Sequence, residues 1–446
     1  MKHFLRISGA MVRTGGLAWI RRIVPPLLTI MAIAGTVCLS AQPNQPRTPE
    51  AALADPQVQR ELKQIESEKV QMADFLAHLG AIPSPSGGER DRALAVKAKM
   101  EEIGLKRVSI GDGSSPNVVG VIPGRSGRSL VFIAILDDLK RTVNAQKEAK
   151  HPPLVTGDRV VGPGVDHPSS VAAILAAAKA LLNAGFVPEH DLVFAAVAQE
   201  EHGLVGMKRL YADYKQSAIS FIDVLGDGSK KIWFGAMGRH QWKITATGPG
   251  GHSLDGGLPN INLSISRAVD QIFQLPQPRQ YKALHTIINV AVIQSGVDAN
   301  HKPETGWFTL DVRSLDNSVI EKIEHDVRSI LDRVATQTTM GQKPPIHFTM
   351  ELEVTTPGGQ IPDARQSVLV RTANDIVAQY LHLQPTLDNA GSSNMNVAIA
   401  GGTPAIALWG ERGDAALIGT LEEFADIPAL VRSAKVVLLL AVTMGG

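Results

Sequence analysis

Leu192-Val-Phe-Ala-Ala-Val-Ala-Gln-Glu-Glu-His-Gly-Leu-Val-Gly206 is an apolar run that stops at two carboxylates, Glu200 and Glu201. An apolar stretch closed by polar and glycine positions reads as a strand buried inside an α/β sheet. Ligands and reactive groups gather where such strands end. Neighbours on an extended chain point to opposite sides, so one carboxylate can hold a metal while the other faces a substrate water as general base. A solvated acidic turn is the plainer alternative at this stretch alone.

The totals narrow the field. At 446 residues the chain exceeds one core and suggests two or three domains. Lys and Arg number 44 against 43 Asp and Glu, a net charge of +1, which gives no electrostatic case for nucleic acid or an anionic membrane surface as partner. Cys38 is the sole cysteine, so neither a disulfide framework nor a cysteine metal site is available.

Residues 1–41 read as a signal peptide: Lys2, Arg6, Arg13, Arg21 and Arg22 precede the apolar run Ile23 to Ala41, interrupted by Pro25 and Pro26. This predicts a periplasmic or secreted protein with no membrane association after cleavage; an uncleaved N-terminal membrane anchor is the alternative. Pro43, Pro46, Pro49 and Pro56 make 42–56 a disordered linker.

From 57 to 238 helical spacing gives way to strands alternating with helices, including Ser129 to Leu136 ending at Asp137, and a helix from Val171 that Ser169 or Ser170 can cap. The pattern predicts an α/β domain with a mainly parallel sheet and flanking helices. Residues 239–354 change texture to a β-α-β-β-α-β order, which suggests an inserted α+β split-βαβ domain, and 355–446 resumes the first domain.

Four landmarks follow in order: Leu136-Asp137, Gly162-Pro-Gly-Val-Asp166, Glu200-Glu201 with Gly203 and Gly206, and Gly248-Pro-Gly-Gly-His252. Together they resemble the co-catalytic metallohydrolases that include carboxypeptidase G, peptidase T, aminoacylase and succinyl-diaminopimelate desuccinylase. The resemblance implies a zinc-peptidase-like fold with an inserted dimerisation domain, a homodimer, and a divalent metal cofactor, zinc in the family. It implies Asp166 as the carboxylate bridging two metals, Glu200 as general base, and Glu201 and Asp223 as terminal metal ligands, with Asp227 as fallback for Asp223. Asp137 would orient the histidine ligand two positions before it. His252 would reach the partner's active site, and Asn300 and Arg313 would bind substrate.

The chain departs from that family at two histidine-ligand positions and at Ser393-Asn394, where Ser-Asp is common. Ile135 stands where one histidine ligand belongs, and aligning Glu423-Phe424 puts Gly419 where the other belongs. With both imidazoles gone, any metal site is expected to be weaker and less zinc-selective. Restoring histidine at 135 and 419 together should then raise zinc affinity. His167 and His202 are the nearby histidines able to fill the gap; strand geometry argues against both, although a loop could turn His167 inward. The expected function is an exported peptidase or amidohydrolase cleaving a small peptide or N-acyl amino acid by metal-activated water. The competing reading is a catalytically impaired or inactive relative that binds a peptide or amino-acid derivative as a dimer.

Overall fold

The computed structural model describes residues 47–446 except 114, 257, 258, 340 and 342; the segment 1–41, expected to be a signal peptide, lies outside the described residues. Its centre is an eight-stranded sheet in the order Lys106–Ile110, Val118–Ile122, Asp191–Val197, Ser129–Ile135, Ala218–Leu225, Ala405–Trp409, Lys231–Trp233, Thr386–Asp388. The four middle strands run parallel, as the strands' apolar composition requires of a sheet covered on both faces.

Alternation along each strand feeds two cores. Leu130, Phe132 and Ala134 join one cluster with the helices Ser169–Asn183 and Ile427–Gly445, and the rings of Phe132 and Phe194 stack there at 5.5 Å. Val131, Ile133 and Ile135 join the other, with Met207, Leu210 and Met395. The Ile427–Gly445 helix is long and apolar enough to cross a membrane, but 78% of its apolar window is buried inside the fold, as befits a core helix.

The inserted unit runs from the strand Gly238–Thr247 to the strand His347–Thr356. Its antiparallel sheet has the order Ile287–Asn289, Thr305–Ser314, Gly238–Thr247, His347–Thr356, with Ile293–Ser295 also paired to Thr305–Ser314. The helices Ile261–Phe273 and Asn317–Thr339 cover one face through Ile265, Ile320, Ile323 and Val327.

Two local expectations need correction. Part of the 42–56 segment is helical rather than disordered: Pro49–Ala54 forms a helix capped by the Thr48 hydroxyl, which accepts the Ala51 N–H. Proline fits the first helical turn because its missing N–H would have no partner there, so Pro49 and Pro56 start helices instead of breaking them. The serines at the start of the Ser169–Asn183 helix do not cap it. Their hydroxyls turn back, Ser169 to the Asp166 carbonyl at 2.5 Å and Ser170 to the His167 carbonyl at 2.7 Å. They therefore tighten the loop that carries Asp166.

The stacked pair at the sheet centre gives a stability test. Phe132→Ala should lower unfolding free energy by about 3–5 kcal/mol in a denaturant titration, since the ring is fully buried and its cavity cannot collapse.

Candidate functional site

The parallel strands end on one edge, and the acidic side chains collect in the loops beyond them. Strand 191–197 gives way at Gln199, whose φ of 54° swings the chain into a turn, so Glu200 and Glu201 are not on extended backbone. That corrects the reading of two carboxylates projected to opposite sides of a strand. Asp137 holds the turn: its Oδ1 accepts the Glu200 N–H at 2.9 Å and its Oδ2 the Glu201 N–H at 3.1 Å. The Ser86 hydroxyl donates to the same Oδ2 at 2.6 Å. The carboxylate expected to orient a histidine two positions earlier thus positions the Glu200-Glu201 turn, and position 135 carries isoleucine. Asn117 braces the following helix, accepting the Ala198 N–H and donating to the Gly206 carbonyl.

Asp166 is placed from far along the chain. Glu423 Oε1 accepts the N–H groups of Gly164, Val165 and Asp166 at 2.9, 2.9 and 3.0 Å, and its Oε2 accepts the Gly419 N–H at 2.7 Å. Burial pushes the Glu423 carboxyl above its ordinary range, and these N–H donors pull against that shift. The sequence offered Glu423 only as an alignment mark; nothing local announced its role.

His167 faces the cluster. Its Nδ1 donates to the Asp137 carbonyl at 2.6 Å, which leaves Nε2 3.9 Å from Asp166 Oδ2 and 3.7 Å from Glu201 Oε1. Adjacent side chains diverge on a strand, but residues 166 and 167 lie in a turn, where both can point inward. Burial opposes charge on His167, yet the carboxylates of Asp166, Glu201 and Asp138 outweigh it, and its pKa is raised despite Arg412 nearby. His202, next to Glu201, is exposed.

A cation that sequence reading missed completes the arrangement. Arg412 Nη2 lies 3.3 Å from Asp166 Oδ2, and its guanidinium sits 4.9 Å from the centre of the Trp409 ring. Its place just after the strand Ala405–Trp409, on the edge where sites form, was the available signal. A cavity of about 450 Å³ opens beside Asp166 and Arg412, lined also by Arg159, Lys230, Trp409 and Phe424.

The Glu200 carboxyl is strongly perturbed. Burial raises its pKa well above the usual range, and Glu201, Asp137 and Asp223 push it further, with Arg239 from the inserted domain opposing. Asp223 is fully buried in strand 218–225, opposite Ile133 and Ala407, with Ser393 and Asn394 close to its carboxyl. Burial pushes its pKa up to about 6. The fallback residue Asp227 is committed elsewhere, accepting from Arg432 at 2.7 Å and from the Ser229 hydroxyl at 2.5 Å. Asp166, Glu201, His167 and Arg412 are therefore in direct contact, while Asp223 meets the cluster through Glu200. Asp166 thus has both Arg412 and His167 beside it, and Glu201 has His167.

Two buried polar groups behind the centre also escaped sequence reading. Arg92 forms a bidentate pair with Asp138 at 2.8 and 2.6 Å, and Glu89 Oε1 accepts the Gln199 N–H at 3.0 Å. In the inserted domain, His252 Nε2 lies 3.3 Å from Asn300 Nδ2 on the short pair Gly251–His252 and His301–Lys302. Arg313 pairs with Asp311 on its own strand at 3.1 Å.

The fold and site together define an α/β zinc-peptidase-like scaffold with an inserted split-βαβ domain and an acidic centre at the parallel strand ends. A family model described as Peptidase family M20/M25/M40 matches residues 142–443, and the chain belongs to that family. Aminopeptidase PepT from Bacillus cereus ATCC 10987 shares the fold with a TM-score of 0.71 at 18% identity, over 85% of this chain and 99% of that one. A tripeptidase from Staphylococcus aureus subsp. aureus mu50 gives 0.69 at 18% identity, over 84% and 98%. Human carnosine dipeptidase 1 gives 0.63 at 12% identity, over 87% and 99%. Against curated proteins no significant sequence match was found.

Peptidases of this family are metal-dependent, so the donor set must be compared with that requirement. A co-catalytic zinc pair takes nitrogen and oxygen donors in closed geometry. Ile135 is buried in an apolar cluster, and Gly419 has no side chain. Among the described residues no group of three His, Cys, Asp or Glu side chains, Asp166, His167 and Glu201 included, is placed to hold a metal ion, and a guanidinium stands at the Asp166 oxygen. The residues present do not fit the family's two-zinc centre.

Gly419 also limits the expected rescue by paired histidines. Its φ is 76°, and a Cβ there would lie 2.4 Å from Arg141 Cγ. The Gly419→His change should therefore destabilise the chain, by about 1–3 kcal/mol in thermal or denaturant unfolding, even alongside Ile135→His.

Asp223 generates a pH prediction. Its folded pKa of about 6 stands above the ordinary value of 3.8, so the stability it contributes is full below pH about 4 and is lost as pH rises through about 6. The loss amounts to about 3 kcal/mol at the 1.36 kcal/mol per unit of linkage. Asp223→Asn should flatten this fall in unfolding free energy between pH 4 and 7 and stabilise the protein at pH 8.

Proposed function

We propose that this chain binds a small peptide or N-acyl amino acid at the strand ends and is a catalytically impaired or inactive member of its family. The observation that carries the reading is the Arg412 guanidinium at Asp166. One of its nitrogens faces that carboxylate, while Nη1 is buried without a hydrogen-bond partner beside the 450 Å³ cavity. A guanidinium with an open donor suits a carboxylate, the group common to peptides and N-acyl amino acids. Trp409 and Phe424 in the wall suit an apolar side chain.

Amide hydrolysis is the second reading, and one feature favours it. Glu200, the family's general base, is retained, and its raised pKa is of the kind that general acid–base groups show. In both readings the inserted domain supports a homodimer, with Ile287, Ile293 and Leu352 exposed on its sheet. Export to the periplasm or outside the cell, or retention by an N-terminal anchor, belongs to the same proposal and rests on the leader sequence alone.

Calorimetric titration with N-acetyl amino acids and dipeptides, paired with chromatographic detection of released amine, separates the readings. The expected result is binding weakened at least about tenfold by Arg412→Met, with no amine released. Amine release that Glu200→Gln abolishes would transfer the assignment to the hydrolase reading. An absence of both binding and release would overturn the proposal.

A further inference from the structure

We propose that the Arg412 guanidinium is the resident cation of this centre, standing at Asp166 in the place of a metal ion. Asp166 Oδ2 is buried and accepts no hydrogen bond, and Arg412 Nη2 is 3.3 Å from it. A buried carboxylate oxygen in that state needs a positive charge beside it. The Arg412 side chain is nine-tenths buried, and its position is fixed from outside the cluster. Trp409 lies under the guanidinium, and the Arg412 carbonyl accepts the Asp426 N–H at 2.6 Å. The arginine is thus held by the chain on both sides of its charge.

A divalent ion at Asp166 Oδ2 would have to displace the guanidinium, since two positive centres cannot share that oxygen at contact distance. The chain gains a charge that chelation cannot remove, and its fold needs no divalent ion at this point. The inference concerns Asp166 and holds whatever ligand the cavity takes, so it can fail while the binding reading stands.

The test uses the full chain in three forms: wild type, R412K and R412M. Each is dialysed against zinc or manganese, analysed for bound metal by mass spectrometry, and melted with and without EDTA. Wild type should retain less than about one ion per ten chains and keep its Tm in EDTA. R412M should melt about 5 °C lower, because buried Asp166 then keeps only the more distant His167 Nε2 at 3.9 Å beside it, and millimolar manganese or zinc should restore at least half of that loss. R412K should resemble wild type in metal content, since an ammonium still supplies the charge. Stoichiometric metal on dialysed wild type, or a Tm that drops in EDTA, overturns the proposal. So does an R412M chain unchanged in both Tm and metal retention. Should R412M fail to fold, the wild-type and R412K measurements still decide.

Discussion

Carboxylates drawn together at the edge of a buried sheet repel one another and lose hydration, so positive charge must meet them or protons must stay on. Everything near the strand ends is organised around that requirement. Asp166 is met by Arg412 and His167, Glu201 by His167, and Asp138 by a bidentate bond from Arg92. Glu200 and Asp223, with less positive charge beside them, are pushed toward their protonated forms. On the proposal made above, the balance is kept by side chains and protons belonging to the chain itself.

Position within the centre depends on backbone donors as much as on charge. Asp137 gathers two consecutive N–H groups of the 200–201 turn, and Glu423 gathers three of the 164–166 loop. Each carboxylate acts as a clasp between segments distant in sequence, and Glu423 ties residues 164–166 to the C-terminal segment just before the Ile427–Gly445 helix. The centre is therefore coupled to the packing of that core helix. Arg239 adds a link in the other direction, bringing a positive charge from the first strand of the inserted domain to Glu200.

Membership of Peptidase family M20/M25/M40 fixes the scaffold and leaves the chemistry to the residues placed on it. A centre built for two metal ions shares its acidic side chains with one neutralised internally. On the proposal above the two differ in their cations, here an arginine from the loop after the strand Ala405–Trp409 with a histidine beside Asp166.

The apolar runs at 129–136 and 192–197, the alternation of 241–247 and the Ala-rich stretch after Ser170 carried the fold in the sequence itself, because strand and helix periodicities follow directly from which side chains must be buried. The acidic residues Asp166, Glu200 and Glu201 and the positions 135 and 419 could be singled out in the sequence too, since they lie at fixed places in motifs. The inward turn of His167, the arrival of Arg412, the clasp of Glu423 and the left-handed Gln199 that bends the Glu200-Glu201 pair were decided only by tertiary structure. These are contacts between segments separated by tens to hundreds of residues, set by how the loops cross at the strand ends. No local periodicity encodes such contacts; they depend on which charges the folded sheet edge brings within a few ångströms of one another.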